Sequence, residues 1–90
     1  MNTDSHVEIT MYGAQWCGDC RRSKKFLDSN QVAYAYIDVE NDPAAAAKVV
    51  EINKGMQSIP VITFPDGSHL TEPSDMDLQA KLVSLGVLPA

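Results

Sequence analysis

Apolar and polar residues recur along the chain with two different periods, and the changes of period mark its elements. "VEITMYGA" (residues 7–14) alternates at every second residue and is rich in β-formers, which predicts a strand over about 7–12. From Cys17 the spacing becomes helical and continues to about Ser29. "VAYAYIDV" (32–39) is apolar on both faces, which is typical of a strand covered on both sides. This order predicts a right-handed βαβ unit.

Capping residues mark the next predicted helix, in "ENDPAAAAKVVEINKG". Asp42 can cap the helix, Pro43 suits its first position and Gly55 suits its end. An apolar stripe at helical spacing is expected to face the core. Its members are Val49, Ile52 and Met56.

A hairpin and a last helix complete the pattern. "IPVITF" and "SHLT" flank "PDG", a turn signal that predicts two antiparallel strands. In "EPSDMDLQAKLVSLG", Ser74 is the expected cap and Gly86 the expected end, with Leu78, Leu82 and Leu85 facing inward. The predicted order is β-α-β-α-β-β-α, an α/β fold with a four-stranded mixed sheet and helices on both faces.

The chain has 90 residues, which suits one small domain. Residues 1–6 are interpreted as a flexible tail and residues 7–90 as the single domain. The N-terminal "MNTDSHVE" has no cationic start and no apolar stretch, so it does not resemble a secretory signal. No apolar run approaches the roughly 20 residues that span a bilayer. A cytoplasmic protein without membrane contact is therefore expected.

Charge narrows the range of partners. Seven cations stand against twelve anions, a net charge of −5, which disfavours binding to a nucleic-acid backbone. Four of the cations nevertheless fall between residues 13 and 27, where Asp19 is the one anion. Such a basic patch on an acidic chain favours a small anionic partner, and a solvated helix face is the alternative.

Both cysteines of the chain lie three positions apart in "QWCGDC", as Cys17 and Cys20. A structural zinc site needs about four ligands, and only His6 and His69 could complete it. A structural disulfide would close a very small loop, which stabilises little, and the expected compartment is reducing. A CxxC motif in a βαβ order favours the third interpretation, a redox-active dithiol.

The predicted helix gives the two thiols different roles. Cys17 stands where the helix begins, so unpaired N–H groups and the helix dipole favour its thiolate, the attacking species. Cys20 shares an inward face with Ser23 and Leu27, so it is expected to be buried and to resolve a mixed disulfide. Arg21 follows Cys17 by four residues and is the cation expected to stabilise the thiolate or to hold a substrate carboxylate.

Two neighbours of Cys17 have open roles. Asp19 suits the first turn of a helix, but its charge opposes both a thiolate and an anionic substrate. Asp19 and Arg21 are therefore expected to tune the ionisation of Cys17 in opposite directions, and the sequence leaves the sum open. Trp16 is expected either to shield the site and offer a surface to a partner, or to pack at a strand–helix corner.

Over about residues 7–85 the chain resembles the thioredoxin superfamily. Within it the chain is most similar to the glutaredoxins of the mycoredoxin type. The segments that carry the resemblance are "AQWCGDC" leading into a helix, "DVENDPAAAAKVVEINKG" and "SIPVITFPDGSHLTEPSDMDL". The resemblance implies a thioredoxin/glutaredoxin fold and a thiol–disulfide oxidoreductase in which Cys17 is the nucleophile and Cys20 resolves.

The resemblance also implies a substrate site. The Ser58–Ile59–Pro60 step corresponds to the family's cis-proline loop, which implies that Pro60 is cis and lies beside Cys17. The backbone of Ile59 would pair with an extended thiol substrate. Ser74 and Asp75, at the start of the last helix, would approach the far end of that substrate. With these, the expected substrate-binding residues are Trp16, Arg21, Ser58, Ile59, Pro60, Ser74 and Asp75.

The resemblance implies a small thiol as co-substrate, either mycothiol or glutathione, and no tightly bound cofactor or metal is expected. Glutathione-using relatives have a lysine before the motif and a tyrosine inside it, where this chain has Gln15 and Asp19. An NADPH-dependent reductase could instead supply the electrons directly. Disulfide-containing proteins are the expected substrates, and the protein is expected to be a monomer.

Two further functions stay open at this stage. An iron–sulfur cluster carrier would use Cys17 together with a small thiol, and would be brown after anaerobic purification. A non-catalytic interaction module of thioredoxin fold would have a Cys17 that does not react with alkylating reagents.

Overall fold

The computed structural model describes residues 9–90, and seven elements follow in the predicted order. The strands are β1 (Thr10–Gly13), β2 (Ala35–Asp38), β3 (Val61–Thr63) and β4 (His69–Thr71). The helices are α1 (Gly18–Ser29), α2 (Pro43–Ile52) and α3 (Asp75–Ser84). The predicted tail, residues 1–6, and the start of the predicted first strand lie outside the described residues.

The four strands form one mixed sheet in the order β2-β1-β3-β4. The strand β1 is parallel to β2 and antiparallel to β3, and β3 and β4 pair as the predicted hairpin. The sheet separates two groups of buried side chains. One cluster joins α1 and α3 to the sheet and includes Met11, Cys20, Leu27, Ile62, Leu78 and Leu82. Ala45 and Val49 of α2 and Val61 of β3 are buried outside this cluster, so the helices cover both faces, as predicted.

The predicted helix boundaries are confirmed by their capping bonds. The Asp42 side chain accepts a hydrogen bond from the Ala45 N–H at 3.0 Å, and the Ser74 hydroxyl accepts one from the Asp77 N–H at 3.0 Å. Gly86 follows α3 with φ of +77°, a conformation that glycine adopts without strain. None of the helices within residues 9–90 is long and apolar enough to cross a membrane.

Two predictions about packing are wrong. The second strand is shorter than residues 32–39, and its residues are exposed or only partly buried because it lies at the edge of the sheet. Met56 does not belong to a core-facing stripe, since its side chain is 61% exposed. The helix α2 ends at Ile52, so helical spacing no longer places Met56 above Val49.

Candidate active site

Cys17 is the N-cap of α1, as its position in the sequence predicted. Its sulfur accepts a hydrogen bond from the Cys20 backbone N–H, with a donor–acceptor distance of 3.2 Å. Cys17 is 8% exposed, so it belongs to the edge of the core, and it also lines a groove on the surface. The start of a helix offers backbone N–H groups to a negative charge, and a cysteine attacks a disulfide as its thiolate. The geometry therefore suits Cys17 to attack a disulfide.

Cys20 lies one turn further into α1 and is 1% exposed, on the buried face that also carries Ser23 and Leu27. Burial is the main reason that the pKa of Cys20 rises to about 12, and a hydrogen bond and charge interaction with Cys17 raise it further. A backbone hydrogen bond with Ala14 acts in the opposite direction. Cys20 is therefore held as a thiol in the reduced protein.

Because Cys20 is buried and has a raised pKa, an alkylating reagent should discriminate between the two cysteines of the reduced protein. With Cys20 at a pKa of about 12, roughly one molecule in ten thousand carries a Cys20 thiolate at pH 8. Iodoacetamide is expected to modify Cys17 first between pH 7 and 9, as measured by peptide mass spectrometry at partial labelling. Modification of Cys20 in protein whose Cys17 is still free should be much slower and should rise about tenfold per pH unit. Equal labelling of the two cysteines at pH 7 would contradict this assignment.

A groove of about 440 Å³ opens beside Cys17, and we call it the Cys17 groove. It is lined by Trp16, Cys17, Gly18, Asp19, Gln57, Ser58, Ile59 and Glu72. The Cys17 thiol points at the Ile59 carbonyl, with 3.8 Å between sulfur and oxygen. The peptide bond between Ile59 and Pro60 is cis, as the resemblance implied. The structure thus brings the predicted loop against the nucleophile.

Asn53 holds this loop in place, a role that the sequence did not indicate. Its side-chain amide donates to the Ser58 carbonyl at 2.9 Å, and its amide oxygen accepts from the Thr71 hydroxyl at 2.8 Å. The Pro60 carbonyl in turn accepts the Glu72 N–H at 2.8 Å. The loop is therefore tied to the end of α2 and to β4, which positions the Ile59 backbone next to Cys17.

Asp19 lines the Cys17 groove, and its charge is balanced by Arg22 rather than by Arg21. The Arg22 guanidinium lies 2.9 Å from the Asp19 carboxylate and 3.8 Å from that of Asp75. It also donates to the Pro73 carbonyl at 3.2 Å. Arg22 therefore links the start of α1 to the start of α3. The spacing of Asp19 and Arg22, three residues apart on one helix, was the available sequence signal.

Four predicted substrate-binding residues are not among those that line the Cys17 groove, and the first of them, Pro60, is fully buried. The Arg21 guanidinium donates to the Gln15 carbonyl at 3.0 Å and lines a separate cleft with Cys20, Lys24 and Tyr36. Ser74 caps α3, and Asp75 approaches Arg22. The residues that line the Cys17 groove include none of these four. Any role of Arg21 at the thiolate, or of Ser74 and Asp75 at the substrate, stays a prediction.

Trp16 projects from the site and is 65% exposed. Its indole N–H donates to the Glu40 carboxylate, and its ring borders both the Cys17 groove and a second cleft towards α2. The interpretation of Trp16 as a packed corner residue is therefore wrong. The exposed ring fits the other prediction, a surface offered to a partner.

The surroundings of Cys17 and Cys20 do not favour a metal site. His69, one of the two possible additional ligands, is exposed on β4, and His6 lies outside the described residues. Within residues 9–90, no three His, Cys, Asp or Glu side chains lie together in a way that could hold a metal ion. Both cysteines are free thiols in the structure.

The chain has a CxxC motif at the start of a helix, a cis-proline loop beside it and a four-stranded mixed sheet. Together these features define a dithiol protein of thioredoxin fold. Residues 7–70 match the family model described as Glutaredoxin. The chain therefore belongs to the glutaredoxin family and is a thiol–disulfide oxidoreductase.

Individual relatives agree with this assignment. A protein of Mycobacterium tuberculosis (strain H37Rv) whose name classes it as a glutaredoxin is 43% identical over 77 residues, which cover 86% of this chain and 92% of that protein. Mycoredoxin 1 of Corynebacterium glutamicum is 35% identical over 77 residues, which cover 86% of this chain and 95% of the relative. The crystal structure of a glutaredoxin from Archaeoglobus fulgidus superimposes with a TM-score of 0.70 at 25% identity. That match covers 89% of this chain and 94% of the other.

Proposed function

We propose that the protein reduces disulfides within proteins, and mixed disulfides between proteins and a low-molecular-weight thiol, with Cys17 as the nucleophile. The observation that carries this proposal is the N-cap geometry, in which the Cys17 sulfur accepts the Cys20 N–H at 3.2 Å and faces the Cys17 groove. The Cys17 thiolate attacks one sulfur of the substrate. The substrate S–S bond breaks, one thiolate leaves, and a mixed disulfide forms on Cys17.

Cys20 then resolves this intermediate in the dithiol route. The negative charge at Cys17 is one cause of the raised pKa of Cys20, and that charge disappears once Cys17 is in a disulfide. Cys20 therefore loses its proton more readily at the step where it is needed, helped by the backbone hydrogen bond with Ala14. Its thiolate attacks Cys17 and releases the second substrate thiolate. The two electrons come from the dithiol, which becomes the Cys17–Cys20 disulfide.

A second reductant must return the protein to the dithiol. Mycothiol, glutathione and an NADPH-dependent reductase are the candidates, and the charge of the Cys17 groove bears on the choice. The groove is lined by two carboxylates, Asp19 and Glu72, but Arg22 pairs with Asp19 at 2.9 Å, so the argument rests on Glu72. Glutathione carries negative charge and would meet a like charge at Glu72, which disfavours it against an uncharged thiol or a reductase. A monomeric state and a cytoplasmic location would both suit this role, and each of them remains a prediction.

The electron source can be tested with a coupled assay in which NADPH consumption is followed on a peptide mixed disulfide. Glutathione, mycothiol and thioredoxin-reductase systems are offered in parallel at equal reductant concentration. We expect faster turnover with mycothiol or with the reductase system than with glutathione, because the Glu72 carboxylate repels the negative charge of glutathione. Turnover that is fastest with glutathione would contradict the charge argument. An absence of turnover in all three systems would contradict the proposed activity.

A further inference from the structure

A second cleft, which we call the Trp16 cleft, adjoins the Cys17 groove. It has a volume of about 250 Å³ and is lined by Trp16, Val39, Glu40, Ala46, Val49, Gln57 and Ile59. Trp16, Gln57 and Ile59 line both depressions. A polypeptide whose cysteine reaches Cys17 and whose backbone lies along Ile59 would therefore place a neighbouring side chain in the Trp16 cleft.

The walls of the Trp16 cleft are apolar and its edge carries one carboxylate. Val39, Ala46, Val49 and the Trp16 ring provide the walls, and Glu40 provides the charge. The Glu40 carboxylate accepts the Trp16 indole N–H, which holds it beside the ring. A carboxylate has about four acceptor positions, so this bond leaves capacity for a further donor.

The turn after β2 presents Glu40 in a fixed position. The Asp38 carboxylate accepts the Glu40 N–H at 2.9 Å with one oxygen and the Asn41 side-chain amide at 2.8 Å with the other. The Val39 N–H donates to the Gly13 carbonyl at 3.0 Å, which ties the same turn to β1. Because the backbone and the indole both restrain Glu40, its carboxylate is ordered before a ligand arrives, which lowers the entropic cost of binding.

The surroundings of Cys17 are negatively charged on this side. Glu72 lines the Cys17 groove and Glu40 lines the Trp16 cleft, whereas the Asp19 carboxylate of the Cys17 groove is paired with Arg22. Among the described residues, neither depression is lined by a lysine or an arginine. Clefts lined by one sign of charge attract ligands of the opposite sign.

We propose that the Trp16 cleft binds a lysine or arginine side chain that neighbours the attacked cysteine in the substrate protein. The aliphatic stem would pack against Val49 and the Trp16 ring, and the cationic head would pair with Glu40. This inference rests on the proposed function, because it concerns the protein whose disulfide Cys17 reduces. It makes Glu40 a specificity-determining residue of that reaction.

Single-turnover reduction of matched peptides tests the inference without any need to know the electron source. Each peptide has one cysteine in a mixed disulfide with 2-mercaptoethanol, an uncharged thiol. The peptides differ only in the residues that flank the cysteine, which are lysine, norleucine or glutamate. Pre-reduced protein is mixed with each peptide, and the released peptide thiol is measured.

The lysine peptide is expected to react roughly two- to fivefold faster than the norleucine peptide at low salt, and the glutamate peptide more slowly than both. Screening by about 0.5 M salt should reduce these ratios. Glu40→Gln keeps an acceptor for the Trp16 indole but removes the charge. It should bring the ratio of the lysine rate to the norleucine rate down towards one, and a ratio that stays at the wild-type value would contradict the inference.

Glu51→Gln is the matched control, because Glu51 is an exposed glutamate on α2 that lines neither depression. This variant should keep the preference for lysine. If wild-type protein reduces all three peptides at the same rate, the inference about Glu40 is wrong and the proposed activity stands. If it reduces none of them, the proposed activity is wrong as well.

Discussion

Replacing Cys17 with serine is expected to leave no disulfide reduction above the uncatalysed background. A serine hydroxyl can cap α1 as the cysteine sulfur does, so the fold should persist, as circular dichroism and thermal unfolding can show. A hydroxyl does not replace a thiolate as the nucleophile or as a partner in a disulfide. The rate is measured with a peptide mixed disulfide, under the conditions used for the wild type.

Cys20→Ser is the matched control, because it makes the same atomic change one turn further into the helix. This variant should still form a mixed disulfide at Cys17, and should lose the route that needs an intramolecular resolving thiol. A small thiol that attacks the intermediate can then complete a monothiol route. A Cys17→Ser protein that reduces the peptide at the wild-type rate would contradict the assignment of the nucleophile.

Replacing Gly13 with alanine is expected to destabilise the protein and to disturb the resolving thiol. Gly13 is the buried last residue of β1. A methyl group there would lie 3.1 Å from the Cys20 sulfur, 3.2 Å from its Cβ and 3.3 Å from the Tyr36 hydroxyl. These distances are shorter than ordinary contacts, so Cys20 or Tyr36 must move. Overpacking of this kind lowers the free energy of unfolding by about 1–3 kcal/mol.

Gly18→Ala provides the control, since it adds the same methyl group at the first residue of α1. A Cβ at Gly18 would meet no atom within 4 Å, and alanine favours a helix by up to about 1 kcal/mol over glycine. Urea unfolding should therefore show a lower free energy of unfolding for Gly13→Ala than for the wild type. For Gly18→Ala the free energy of unfolding should be higher than that of the wild type or unchanged. The dithiol route should slow in Gly13→Ala. If Gly13→Ala is as stable as the wild type, the packing around Cys20 is not as tight as described.

Local sequence signals predicted most of the fold. Asp42 and Ser74 accept the capping bonds expected of them, and Cys17 stands at the start of its helix. These features depend on a few neighbouring residues, which is why a single sequence shows them. The length and burial of β2 were wrong, because its place at the edge of the sheet depends on the order of all four strands.

The site was predictable only in part, for a related reason. The cis-proline loop beside Cys17 came from the family resemblance, since nothing in the local pattern places Pro60 near residue 17. Arg22 and Asn53 were missed because their partners, Pro73 and Thr71, are distant in sequence. Four cations do cluster on α1, but none of them lines the Cys17 groove, and two of them pair with carboxylates, Arg22 with Asp19 at 2.9 Å and Lys24 with Asp28 at 3.0 Å.

The most direct test of the central claim is the identity of the sulfur that first receives the substrate. Pre-reduced wild-type protein is mixed with the peptide mixed disulfide, quenched in acid at successive times and mapped by mass spectrometry. The geometry predicts that the substrate appears first on Cys17, and that the adduct then gives way to a Cys17–Cys20 disulfide. A substrate adduct that forms first on Cys20 would contradict the account.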